Sequence, residues 1–129
     1  MKRKTKGINA ERELVALLWK HGWAACRVAG SGSSRFPSPD VVAGNGVRRI
    51  AVECKAVSAE KKYLTKADIT QLQTFANTFG AEPWIGIRFD KDQWYFISLD
   101  DLKETPSGFV ISAQLAKQKG LILAEILEI

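Results

Sequence analysis

The chain has 129 residues, 46% of them hydrophobic and 26% charged, enough for one domain with its own core and too apolar for global disorder. Lys and Arg number 19 against 14 Asp and Glu, and the net charge of +5 suits a polyanionic partner, nucleic acid above all. No stretch reads as a signal peptide or a membrane span, so the expected place is the cytoplasm, at the nucleoid, with no membrane partner.

Residues 9–21 read as a helix, with Asn9 as its N-cap and Gly22 as its stop. Leu14, Val15 and Leu18 fall on one stripe at helical spacing, and Glu11 falls on that stripe one turn earlier. A carboxylate there is out of place unless it has chemistry to do. Residues 23–29 read as a strand. The segment 30–39 is a loop rich in Gly, Ser and Pro, whose hydroxyls and Arg35 suggest a phosphate neighbour. Residues 40–43 and 47–55 read as two strands joined at Gly44-Asn45-Gly46, because Asn-Gly between strand patterns is a strong hairpin signal.

A second helix is expected over 66–79, with Thr65 and Asp68 as a capping box and Gly80 as its end. Ile69, Leu72, Ala76 and Phe79 form its apolar face. Residues 84–89 and 94–98 read as another hairpin around a polar turn at 90–93. The tail, 112–129, offers one or two short helices split by Gly120. No repeat, low-complexity block or long linker divides the chain, which reads as a single domain over 1–129. The two cysteines, Cys26 and Cys54, form no Cys/His cluster of the kind that holds structural zinc. The lone histidine, His21, sits at a helix end, where a favourable dipole contact suffices, and gets no catalytic role.

The chemistry is carried by Pro39-Asp40 and Glu53-Cys54-Lys55. With Asn45-Gly46 as a two-residue turn, Gly44 pairs with Val47 and Asp40 lies opposite Ala51. Alternation then puts Asp40, Glu53 and Lys55 on one face, with Glu53 as the diagonal neighbour of Asp40 at roughly 7–8 Å between Cβ atoms. Ile50, Val52 and Cys54 point the other way, toward a core. Two carboxylates so placed can lean onto one hard divalent cation, which serves phosphodiester hydrolysis. Lys55 can position or deprotonate the attacking water, or stabilise the developing negative charge. Glu11 can point toward the same site from its helix, and Ser31 can reach the scissile phosphate when the loop closes.

Taken together, these residues resemble the PD-(D/E)xK nuclease superfamily and, more narrowly, the archaeal Holliday-junction resolvases of the Hjc/Hje kind. The likeness is carried by residues 7–18, 27–33, 39–44 and 51–55, and more weakly by Ile111-Ser112 and Gly120-Leu121. It implies an α/β, restriction-endonuclease-like fold, a central mixed β-sheet flanked by α-helices. It also implies a homodimer and Mg2+-dependent cleavage of four-way junction DNA, with Mn2+ substituting and no organic cofactor. The resemblance makes Glu11, Asp40 and Glu53 metal ligands, joined by the backbone carbonyl of Cys54. Lys55 becomes the catalytic lysine and Ser31 an assisting loop serine. Arg12 and Arg27 match basic residues important in the family, and Ser33 is an alternative match within the Gly-Ser repeat.

A resolvase dimer would track phosphates with its basic surface. The candidates are Lys2, Arg3, Lys4 and Lys6, then Arg12, Arg27, Ser33, Arg35, Lys61, Lys62 and Lys66. Leu121, Leu123, Ile126, Leu127 and Ile129 of the tail form a candidate dimer surface, with Trp84, Trp94, Phe96 and Phe109 contributing; packing within the chain is the competing fate of each. Two other functions stay open on sequence. One is a repair or restriction-type nuclease of the same superfamily. The other is a non-catalytic branched-DNA-binding protein.

Overall fold

The computed structural model describes residues 3–90 and 93–129, without the side chains of Arg3 and Lys4. Helix α1 (Arg3–Lys20) leads into β1 (Ala24–Arg27), β2 (Val41–Gly44) and β3 (Arg49–Val57). Strand β4 (Lys61–Thr65) and helix α2 (Lys66–Phe79) follow, then the hairpin β5 (Glu82–Phe89) and β6 (Trp94–Ser98). The chain closes with β7 (Lys103–Thr105), β8 (Gly108–Ser112), α3 (Ala113–Lys119) and α4 (Leu123–Ile126).

The central sheet has the order β1-β2-β3-β5-β6. Its β3–β5 pair is parallel and the other pairs are antiparallel, so the sheet is mixed. A parallel pair needs a crossover, and α2 lies within it. Side-chain alternation sorts the residues of β3 onto two cores. Ile50, Val52 and Cys54 pack with Leu14 and Leu18 of α1. Ala51 faces away from them and packs with Leu72 and Ala76 of α2, beside Ile85 and Ile87. The sheet is therefore sandwiched, and β3 is apolar on both sides over its first half, as strands with covered faces are. Gly86 answers this crowding: a Cβ there would come within 2.8 Å of Val52 Cγ1 and 3.2 Å of Phe96.

Helix α2 spans the expected residues, and its capping box is formed as expected: the Thr65 hydroxyl accepts from the Asp68 amide and the Asp68 carboxylate from the Thr65 amide, both at 3.0 Å. Phe79, placed on its apolar face by spacing, is instead 52% exposed and stacks on Phe75. Helix α1 begins six residues before the expected start, at Arg3 rather than at Asn9. Lys and Arg are good helix formers, so the basic arm extends the helix without a cap at Asn9. Its expected end holds, with Gly22 at a φ of +83°.

The hairpin between β2 and β3 differs from the expected two-residue turn. Gly44 pairs with Arg49, and 45–48 form the turn. The Asn45 side chain accepts the amides of Val47 at 2.9 Å and Arg48 at 2.7 Å, which widens the loop by two residues. A shift of two keeps every side chain on its face. It moves Asp40 past Ala51 toward Glu53.

A second sheet, β4-β8-β7, was not expected. The tail follows expectation in its helices, but its apolar residues serve this same domain. Ile126 is fully buried, and Leu121, Leu123 and Leu127 pack against the core. Trp94 and Phe96 are core residues too, and of the tail's large hydrophobic side chains Ile129 alone is exposed among the described residues. No helix among the described residues is long and apolar enough to cross a membrane.

Candidate active site

Asp40 stands at the mouth of β2, where the 30–39 loop delivers the chain into the sheet. Its amide donates to the Val52 carbonyl at 3.1 Å. Its carboxylate is held twice: Oδ2 accepts the Cys54 amide at 2.8 Å and Oδ1 accepts the Ser31 hydroxyl at 2.6 Å. Ser31 opens a short 3-10 turn, 31–33, made possible by Gly30 at a φ of +71°. Ser33 is spent inside that turn, its hydroxyl donating to the Gly30 carbonyl at 3.2 Å.

Glu53 lies on the α2 side of β3, opposite Ile85 in the ladder. Burial is the main reason its carboxyl is pushed up to about 8, and the charge of Asp40 adds to it; Lys55 pulls the other way. Lys55 Nζ lies 3.5 Å from Glu53 Oε2. The Asp40 carboxylate thus disfavours the charge on Glu53, and a cation held between them would relieve that.

Glu11 reaches Asp40 from the other face. It pairs with Arg27 of β1, Oε1 to Nη1 at 3.4 Å, and the two line a groove of about 390 Å³ with Gly7, Ser31, Ser33 and Asp40. Burial raises the Glu11 carboxyl, Asp40 raises it further, and Arg27 offsets part of this. On the α2 side a narrower cleft of about 170 Å³ is lined by Ser31, Ser38, Asp40, Glu53, Asp68 and Gln71. Asp40 and Ser31 thus belong to both clefts, while Glu11 and Glu53 each belong to one. Among the described residues no three His, Cys, Asp or Glu side chains converge as a metal cluster. The structure brings Asp40, Glu53, Lys55 and Ser31 together and holds Glu11 on a separate wall.

A hard divalent cation fits the Asp40–Glu53 side of this arrangement. The donors are carboxylate oxygens, which magnesium-class ions prefer. One of the two is held protonated near neutral pH by burial and by the other, a conflict that a cation removes. The Ser38 hydroxyl in the same cleft is buried with no hydrogen-bond partner among the described residues. Cys54 contributes its backbone; its thiol is buried and pushed well above the ordinary thiol range by burial first. Both cysteines are free.

Sequence reasoning missed Asp68 and Gln71. Asp68 was legible only as a cap, although a helix that starts straight after β4 and crosses back over β3 turns its first two turns toward Glu53.

The basic candidates are scattered around these clefts. Arg12, Arg35, Lys61 and Lys66 are exposed, and Lys6 and Lys62 are half-buried. Lys2 lies outside the described residues, as do the side chains of Arg3 and Lys4. His21 Nδ1 donates to the Leu17 carbonyl at 2.8 Å, a helix-end contact.

The family model described as archaeal Holliday junction resolvase (Hjc) matches residues 2–129. The chain belongs to the archaeal Holliday junction resolvase family. It is 42% identical over 123 residues to the crossover junction endodeoxyribonuclease Hjc of Archaeoglobus fulgidus, covering 95% of this chain and 90% of that one. It is 36% identical over 110 residues to the enzyme of the same name from Methanocaldococcus jannaschii, covering 85% and 78%. The solved structure of the A. fulgidus Hjc, titled a Holliday junction resolvase from an archaeal hyperthermophile, superposes with a TM-score of 0.87 at 41% identity, over 92% of this chain and 96% of that one. The mixed sheet with its flanking helices is thus the restriction-endonuclease-like fold, and the resemblance seen in Pro39-Asp40 and Glu53-Cys54-Lys55 extends through the whole domain.

Proposed function

We propose that this chain is an endonuclease that resolves four-way DNA junctions by divalent-metal-dependent phosphodiester hydrolysis, with Mg2+ as its ion and Mn2+ as a substitute, working as a homodimer in the cytoplasm. Membership of a family of crossover junction endodeoxyribonucleases supports the reaction and branched DNA as the substrate. The observation that carries the reading is Asp40, fixed between the Ser31 hydroxyl and the Cys54 amide and set against a largely buried Glu53.

Asp40, Glu53 and the Cys54 carbonyl would hold the metal, which when bound supplies Lewis acidity toward the scissile phosphate. The chain's own residues do the rest. Lys55, 3.5 Å from Glu53, positions the attacking water and stabilises negative charge as it develops. Ser31 restrains Asp40 and ties the 30–39 loop to the site, so loop closure and carboxylate orientation are coupled. Glu11, held by Arg27, presents a third carboxylate, on the α1 side, and draws Arg27 into the cleft wall. Arg12, Arg35, Lys6, Lys61, Lys62 and Lys66 neutralise the backbone of the arms, with Lys2, Arg3 and Lys4 extending that surface; such contacts bind shape without reading sequence. Because the tail is consumed by its own core, the two-fold contact falls to another face. The exposed Phe79, stacked on the half-buried Phe75, is an apolar spot suited to it.

The test is cleavage of a four-way junction and its matched duplex, with and without magnesium. Paired nicks confined to the junction, requiring metal and lost in Asp40→Asn, support the proposal. Equal cutting of plain duplex contradicts it.

A further inference from the structure

Beside the catalytic strand runs a third concavity, of about 610 Å³, lined by Lys6, Lys55, Ser58, Lys61, Lys62 and Tyr63 among others. It leads outward from Lys55 along β4. Four lysines face it, so its charge complements a phosphodiester backbone. Neither Lys61 nor Lys62 has an ion-pair partner among the described residues. Tyr63 is the unusual member. On β4 its neighbour Leu64 is buried in the core, while the Tyr63 ring is 66% exposed. No other aromatic ring stacks on it among the described residues. A large ring left bare on a strand, next to Lys61 and Lys62 and within the groove of the catalytic lysine, is the arrangement by which proteins stack on an unpaired or splayed base.

We propose that Tyr63 is a specificity-determining residue that stacks on a nucleobase at the branch point of the junction. The inference rests on the nuclease reading above and names what that site would recognise. In a continuous duplex each base is covered on both sides by its neighbours. At an exchange point stacking is interrupted, and a π-face becomes available. A DNA strand with its scissile phosphate at Lys55 would carry its next nucleotides along Lys61 and Lys62, where the phosphates are neutralised and the ring of Tyr63 meets the uncovered base. The lysines then give affinity for any DNA, and Tyr63 adds a term that only a branch can satisfy.

The test compares wild type with Tyr63→Phe, Tyr63→Leu and Tyr63→Ala in EDTA, so that nothing is cut. The DNA is a four-way junction with 2-aminopurine at the branch point, and a duplex carrying it in the same sequence. Wild type and Tyr63→Phe should change the junction's fluorescence on binding. Tyr63→Leu and Tyr63→Ala should lose that change and bind the junction roughly five- to hundred-fold more weakly, with duplex affinity and salt dependence kept. Lys61→Ala should instead weaken both DNAs and flatten the salt dependence. The proposal is overturned if the Leu and Ala variants keep both signal and affinity, if they lose junction and duplex binding equally, or if Tyr63→Phe fails as they do, which would mark a hydroxyl contact. A wild-type protein with no preference for the junction overturns the junction-resolving reading itself.

Discussion

The Asp40 carboxylate accepts the backbone amide of Cys54 at 2.8 Å, so the residue just ahead of β2 is bound to the strand that carries Glu53 and Lys55. Its second oxygen is taken by Ser31. Asp40 is therefore both a structural clasp and a candidate ligand, and substitutions should separate the two roles. Asp40→Asn keeps an acceptor for the amide. Its melting temperature should stay within a few degrees of wild type, while junction cleavage falls below detection. Asp40→Ala loses the clasp as well and should be destabilised by about 1–3 kcal/mol, read from urea denaturation.

Ser31→Ala removes the latch between loop and carboxylate and leaves the fold's cores untouched. Junction affinity should hold and single-turnover cleavage should drop, by roughly ten- to a hundred-fold if the latch fixes Asp40 as a positioned group. Limited proteolysis checks the loop directly: the 30–39 segment should be cut faster than in wild type.

Glu53 gives the metal-free protein a defined pH dependence. Its folded carboxyl titrates near 8, above the ordinary value of 4.5 that the unfolded chain would show, because burial and Asp40 disfavour the charge. The folded state thus holds a proton that the unfolded state releases. This contribution is present in full below about pH 4.5, is lost as pH rises, and is gone above about pH 8. In EDTA, Glu53→Gln should match wild type in acid and exceed it at pH 8, by on the order of 2–4 kcal/mol in chemical denaturation. Equal stability of the two at pH 8 would show that Glu53 is not held neutral.

Arg48 ties the far end of the domain together. It forms two hydrogen bonds to Glu82, both 2.8 Å, donates to the Ile126 carbonyl at 2.8 Å, and lies over the Trp23 ring. Glu82 is held below the usual carboxylate range by that bond. Arg48→Ala strands a partly buried carboxylate and an α4 carbonyl, and should cost about 2–4 kcal/mol of stability with cleavage per folded molecule unchanged.

What could be read from the sequence was local or parity-bound. Thr65 and Asp68 announced α2 because a capping box lies within four residues. Asp40 and Glu53 could be placed on one face because alternation survives any even shift of register. The register itself was hidden in Asn45, whose side chain accepts two amides and so widens the turn; Asn-Gly alone does not distinguish that from a two-residue hairpin. Strand β4 was hidden by Lys61 and Lys62, two consecutive charges that show no apolar alternation. Its partner β8 is far along the chain, Tyr63 pairing with Val110, so no local pattern reveals it. The wall between Glu11 and Glu53 could not be read either, because it depends on which face of a two-sided sheet each element covers.

The central claim is that Asp40 and Glu53 share one divalent cation. Calorimetric titration of Mn2+ into the protein at pH 7, in buffers of different ionisation enthalpy, tests it most directly. A carboxyl titrating near 8 must lose its proton to become a ligand, so binding should release close to one proton per ion, and almost none at pH 9.5. Asp40→Asn and Glu53→Gln should each abolish the heat. Binding without proton release at pH 7, or binding that survives Glu53→Gln undiminished, contradicts the shared site.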